Sequence, residues 1–179
     1  MPSLATKSFH VALELTATSP LAPSDYWIEL TNPPALDLVA EPRKVVRVRA
    51  ADLREAQRLR AGIRADAVAA GRDPDSVAVL LDIDTIVAES ADSARSELAQ
   101  AGSPQGRAIS YIGTAKGLAG LIADIRAAEV ADGVTLRPLA GPGTLEFIVC
   151  DVSANLRERG LPIGSPNLSQ VVPAFRRAS

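Results

Sequence analysis

Residues 71–83 read GRDPDSVAVLLDI. The junction inside them decides the fold. Gly71 can take the left-handed backbone that ends a helix, and Pro74 keeps that helix from resuming. An apolar run then starts at Val77 and continues through Ala88. A run this apolar suits a strand buried on both faces, as in a parallel sheet. The spacing therefore predicts a helix that ends, a tight turn and a strand that starts.

The same unit extends in both directions. Upstream, residues 44–49 (KVVRVR) read as a strand and lead straight into a helix. Asp52 caps that helix, and Glu55 stands three residues later, as in a capping box. Leu53, Ala56, Leu59, Ile63 and Ala67 recur three or four apart and form one apolar face. Downstream, Ser90 caps a helix that ends near Gly102. Residues 103–108 (SPQGRA) read as a turn or loop. Thr114 caps a further helix carrying Leu118, Leu121, Ile122 and Ile125. Asp132-Gly133 turns the chain into a strand at 134–137. Thr144 caps a last helix that stops at Gly160. Near the start, residues 9–15 (FHVALEL) alternate with strand period. Residues 16–44 hold five prolines and only one possible short element, YWIEL. Residues 161–179 read as an extended tail with a short helix near Val171. Strands alternating with helices imply βαβ units and a parallel sheet, here of about four strands.

Composition excludes several function classes. With 47% hydrophobic and 22% charged residues, the chain is an ordinary globular one. A net charge of −2 leaves no electrostatic footprint for nucleic acid. Tyr26 and Trp27 sit early in the chain and the second tyrosine is Tyr111, with no basic stripe interleaved. A single cysteine and a single histidine make a disulfide framework or a Cys/His metal site untenable within one chain. Cys150 reads as a buried core thiol, and His10 as a structural histidine. No membrane span and no signal-peptide pattern is legible, so the expected compartment is the cytoplasm.

Three segments resemble the C-terminal part of the luciferase-like flavin-dependent monooxygenases. They are Ala70–Val77 (AGRDPDSV), Gly113–Ala119 (GTAKGLA) and Asp132–Pro138 (DGVTLRP), with Arg159-Gly160 closing the final helix. The opening FHVALELT is similar to the first barrel strand of that family. Thr114-Ala115 stands where the family usually has Thr-Pro.

The resemblance implies a (β/α)₈ ancestry and a reduced flavin or deazaflavin at the C-terminal mouth of the strands. Such barrels take about 250 residues, and this chain has 179. The expected fold class is therefore α/β: a partial, half TIM-barrel-like parallel sheet with flanking helices, in one truncated domain spanning 1–179. Its divisions are a first strand at 1–15, an irregular connection at 16–44, βα units at 45–160 and a tail at 161–179. In a closed barrel the last strand lies beside the first, which predicts the strand order 45–49, 77–88, 134–137, 9–15. The inner face and both edges of such a sheet would be open, and a homodimer would cover them. The function expected from the resemblance is that of a flavin- or deazaflavin-dependent oxidoreductase with reduced or no activity. The alternative is a non-catalytic scaffold or small-ligand-binding relative.

The resemblance and the strand ends together mark Thr16, Arg49 and Arg137 as candidates for holding FMN or a deazaflavin. Two arginines at one mouth suit a phosphate or carboxylate. The plain reading of the same arginines is salt bridging to nearby Asp or Glu. Asp82 and Asp84 share one strand face, and Arg47 points either inward or toward a helix. No catalytic acid or base stands out.

Overall fold

The computed structural model describes residues 8–14, 27–31, 44–102 and 108–164. The calls on Thr16, on the tail helix near Val171 and on most of the 16–44 connection lie outside them. Six strands form one sheet: β1 (His10–Glu14), β2 (Trp27–Glu29), β3 (Lys44–Val48), β4 (Val77–Val87), β5 (Ile109–Gly113) and β6 (Gly133–Pro138). The order is β2-β1-β6-β4-β3, with β5 also on β4. The expected order of four parallel strands is thus observed, β6 lying between β1 and β4. Beyond those four, one strand was read only as a possible short element and one was not expected. β2 grows out of the YWIEL segment and runs antiparallel to β1, so it covers that edge. β5 occupies the start of what read as a loop and helix approach.

β4 is eleven residues long and buried throughout. Its length lets it serve two neighbours on one side. β3 pairs with Val77–Leu81, and β5 pairs further along with Ile83–Val87. The chain therefore steps from β3 to β4, back to β5, and then across to β6. Parallel crossovers are right-handed, so reversing the step moves the connecting helix to the other face of the sheet. The packing agrees. Helices α1 (Leu53–Ala69) and α3 (Ala115–Ala127) bury Ala56, Leu118, Ala119, Ile122 and Ile125 against Leu81, Ile83, Val134 and Leu136. Helix α2 (Ala91–Ala101) instead packs Ala94 and Leu98 on Ile86, Ala88 and Ile112 in a separate cluster. Ile86 lies two residues beyond Asp84, on the same face. α2 thus roofs the upper part of the inner face.

The predicted helix ends hold where local chemistry sets them. Asp52 accepts from Glu55 N at 2.7 Å, Ser90 from Ser93 N at 3.1 Å and Thr114 from Gly117 N at 3.3 Å. Gly71, Gly102 and Gly160 all have positive φ. The last helix differs from expectation. It begins at Pro142 with Gly141 as cap, and it comprises α4 (Pro142–Phe147), a π-turn (Ile148–Val152) and α5 (Ser153–Glu158). Thr144 is no cap. Its hydroxyl is fully buried and bonds the end of β4, accepting from Val87 N at 3.2 Å. Cys150 sits on the π-turn and is exposed, not buried. Partial burial, with Asp151 and Glu146 beside it, pushes its thiol up, which keeps it protonated at neutral pH.

One carboxylate ties the lower end of the sheet together. Asp132 is not a simple turn residue. Its main chain links β4 to β1, since Asp132 N donates to Val79 O and His10 N donates to Asp132 O. Its side chain accepts from Val79 N at 3.0 Å and from Arg60 Nη2 at 2.9 Å. Gly133 follows because a Cβ there would stand 2.4 Å from His10 O. The inner face is not bare: Ala12, Ala78 and Leu80 form a cluster with 0 to 1% exposure. Among the described residues, β2, β3 and β5 each pair with a single strand, so β3 is one of three that keep an unpaired edge.

Candidate functional site

At the C-terminal end of the sheet, six charged side chains gather on the inner face. The register puts them there. Asp82 pairs across from Thr135, and Asp84 across from Arg137. Leu13 lies beside Leu136, so Glu14, the next residue, comes level with Arg137. On the other side Arg47 lies beside Leu80, and Arg49 follows one residue after the end of β3. Side chains two apart on a strand share a face, so the two aspartates stack along β4.

The geometry is that of a closed ion-pair network. Arg47 forks onto Asp82, with Nε to Oδ1 and Nη2 to Oδ2 both at 2.9 Å. Arg47 Nη2 also donates to Glu14 Oε2 at 2.9 Å. Arg137 Nε donates to the same Glu14 oxygen at 2.7 Å, and its Nη1 donates to Asp84 Oδ1 at 2.6 Å. Glu14 is therefore the bridge between the two arginines. Arg49 is different. It stands 3.6 Å from Asp82, beyond a hydrogen bond, and its side chain is 46% exposed. Three arginines and three carboxylates leave the cluster neutral, and Arg49 keeps its donors free for a further acceptor.

Burial strains the two aspartates. It pushes the Asp82 carboxyl above the ordinary aspartate range, although Arg47 pulls it down, and Glu14 adds to the rise. Burial also raises Asp84, with Asp82 and Glu14 reinforcing it and Arg49 opposing it. His10 lies at the other end of β1, its Nδ1 2.6 Å from Glu29 Oε1. Burial acts to raise Glu29, but the bonds from His10 and Thr31 outweigh it and hold the carboxyl below its usual range. That pair fastens β2 to β1 and is structural, as expected for His10.

Of the expected site residues, Arg49 and Arg137 do meet at one mouth, and Asp82 and Asp84 do share a face. Arg137 is engaged by Glu14 and Asp84, which matches the plain salt-bridge reading. Arg47 points inward. Glu14 was missed, although its place in FHVALELT carried the signal: a carboxylate among the alternating apolar residues of a buried strand needs a partner. Among the described residues, no group of His, Cys, Asp and Glu could hold a metal ion, and no helix is long and apolar enough to cross a membrane.

No family model and no curated protein matches the chain. Solved structures do. A long-chain alkane monooxygenase superposes with a TM-score of 0.54 at 20% identity, over 67% of this chain and 38% of that one. A riboflavin lyase, solved with modified FMN and substrate riboflavin, gives 0.57 at 17% identity, over 75% and 44%. An EDTA monooxygenase from Chelativorans sp. BNC1 gives 0.59 at 18% identity, over 74% and 44%. The chain thus has the half-barrel fold expected from its resemblance to luciferase-like monooxygenases. It spans less than half the length of the structures it matches.

Proposed function

We propose that the protein is a luciferase-like oxidoreductase half-barrel, a single truncated domain that takes a flavin or deazaflavin coenzyme at its mouth and turns over slowly or not at all. The observation that carries this reading is the strand order. β1 sits against β6 as the first and last strands of a closed barrel do, and structures of two monooxygenases and of a lyase holding modified FMN match that arrangement. In such barrels the site lies at the C-terminal ends of the strands, where Arg49 and Arg137 stand.

The residues fit one anionic group of the coenzyme. Arg49 offers free N–H donors at the rim, and Arg137 lies behind it as a fixed charge. Thr16, two residues beyond Glu14 in sequence, is the third group proposed to hold the coenzyme. A bound flavin would supply the redox chemistry. The chain's own part is to bind and orient it, with α2 as a roof that excludes water over Ile86 and Ile112. The ion-pair network favours low turnover, because it ties up Arg47 and Arg137 and leaves no free acid or base among them. The non-catalytic reading, a scaffold or small-ligand-binding relative, rests on that same closure. We take the working unit to be a homodimer, since β3 is among the strands that keep an unpaired edge. Titration with FMN and with a deazaflavin, followed by an assay for oxidation of the reduced coenzyme, separates the readings. Saturable binding without appreciable turnover is the expected result. Rapid turnover would remove the claim of low activity, and an absence of binding would leave the scaffold reading.

A further inference from the structure

The bare edge of β3 does not stand alone. A groove runs along the outer side of α1, lined by Glu55, Arg58, Leu59, Gly62, Ile63 and Asp66. Ile63 links the two: it packs against the buried cluster of Ala67, Val77 and Val79, on which Val46 and Val48 of β3 also pack. The groove and the strand edge therefore border one another. Among the described residues, the exposed large hydrophobic side chains are Val45, Leu59 and Val68, all from β3 and α1.

Gly62 is the anomaly in this surface. It lies inside a helix of 17 residues, where glycine weakens the helix relative to alanine. Nothing in this chain requires it, since a Cβ at Gly62 would meet no atom within 4 Å. What a glycine offers on an exposed helix face is close approach by another backbone.

We propose that the β3 edge and the α1 groove form a single two-fold interface, filled by a second copy of this chain. This deepens the homodimer reading and does not depend on the coenzyme. Charge complementarity selects the occupant. When two α1 helices lie antiparallel and cross at Gly62, Arg58 of each copy faces Asp66 of the other. Both residues are exposed, and among the described residues neither side chain forms an ion pair within its own chain. Symmetry makes the pair twice. The strands agree with the helices. An antiparallel β3 pair centred on Val46 sets Val46 against its own copy, Lys44 against Val48 and Val45 against Arg47, with no like charges opposed. Ile63, one residue from Gly62, and Val46 pack on the same buried cluster within one chain, which brings the two symmetry centres to the same part of the surface. A second copy thus extends the sheet through the edge and stacks the helices above it.

Sedimentation equilibrium of the full chain, at micromolar concentration, tests the surface. Wild type is expected to be a dimer. Arg58→Glu and Asp66→Arg, both at exposed positions that leave the fold intact by circular dichroism, should each raise the dissociation constant by about tenfold or more, because each change acts twice. The double variant should return it to within about threefold of wild type. Gly62→Ala should stabilise an isolated helix yet weaken the dimer. A monomeric wild type would overturn both this surface and the homodimer reading. A dimer indifferent to the single charge reversals, or one that the double variant does not rescue, would overturn this surface and leave dimerisation to another face.

Discussion

The two ends of the sheet solve the same problem with the same residue types and opposite results. At the lower end one carboxylate, Asp132, is only 3% exposed and is satisfied by the Val79 amide and the Arg60 fork. These bonds join one element to another: α1 to the α3–β6 connection, and that connection to β4. At the mouth three carboxylates crowd together, and burial pushes two of them, Asp82 and Asp84, above their ordinary range. Their partners are inner-face arginines that join no helix to the sheet. The lower end is arranged for stability. The mouth carries raised carboxylates close together among arginines, an arrangement found both at ligand sites and in structural ion-pair networks.

The comparison breaks most visibly at Asp132. Asp132→Ala should destabilise the fold by about 3–5 kcal/mol, because it strands the Arg60 charge and the Val79 amide together. Urea unfolding at neutral pH measures this. A loss below about 1 kcal/mol would show that the lower end is no tighter than the mouth.

At the mouth, Arg137→Met should cost about 2–3 kcal/mol at neutral pH, since Glu14 and Asp84 lose their shared cation. The same measurement in acid should show a smaller loss, as Asp84, whose carboxyl burial raises, takes up a proton. A loss independent of pH would mean that Arg137 matters through its packing alone.

The third effect is smaller and has a definite sign. Asp82 and Asp84 bind protons more readily folded than unfolded. Between the ordinary aspartate value, near about 4, and their raised values, stability therefore falls as pH rises. Glu29 acts the other way: its lowered value gives stability that is present above its ordinary range and lost as pH falls through the lowered value. Unfolding free energies from neutral pH downward should thus rise before they fall. Asp84→Asn should flatten the rise. A monotonic loss on acidification would contradict the raised pair.

Much of this contrast was legible in the residues, and the limits have physical reasons. The buried run of β4 showed in its apolar density, and the Asp82–Asp84 face in strand parity. The order of four strands followed from how a barrel closes. β5 was hidden because ISYIG is short, holds a serine and a glycine, and runs directly into a helix cap. The shift of α2 to the inner face depends on that missed strand, so no periodicity could reveal it. The Arg60–Asp132 lock spans 72 positions. Its signal was present nonetheless: Arg60 stands between Ala56 and Ile63 on the apolar stripe of α1, and an arginine there needs a buried acid. Cys150 was misread because its apolar helical surroundings suggested the core, whereas Ile148, Val149 and Val152 of the π-turn are buried and Cys150 is exposed.

The proposed coenzyme site turns on Arg49, which stands 3.6 Å from Asp82 without a hydrogen bond to it. Equilibrium titration of wild type and Arg49→Ala with FMN tests it most directly. A charge-assisted bond contributes about 1.5–3 kcal/mol. Arg49→Ala should therefore weaken binding about tenfold or more, with little change in unfolding free energy, since the side chain is 46% exposed. Equal affinity in the two proteins, or no saturable binding to either, would contradict it.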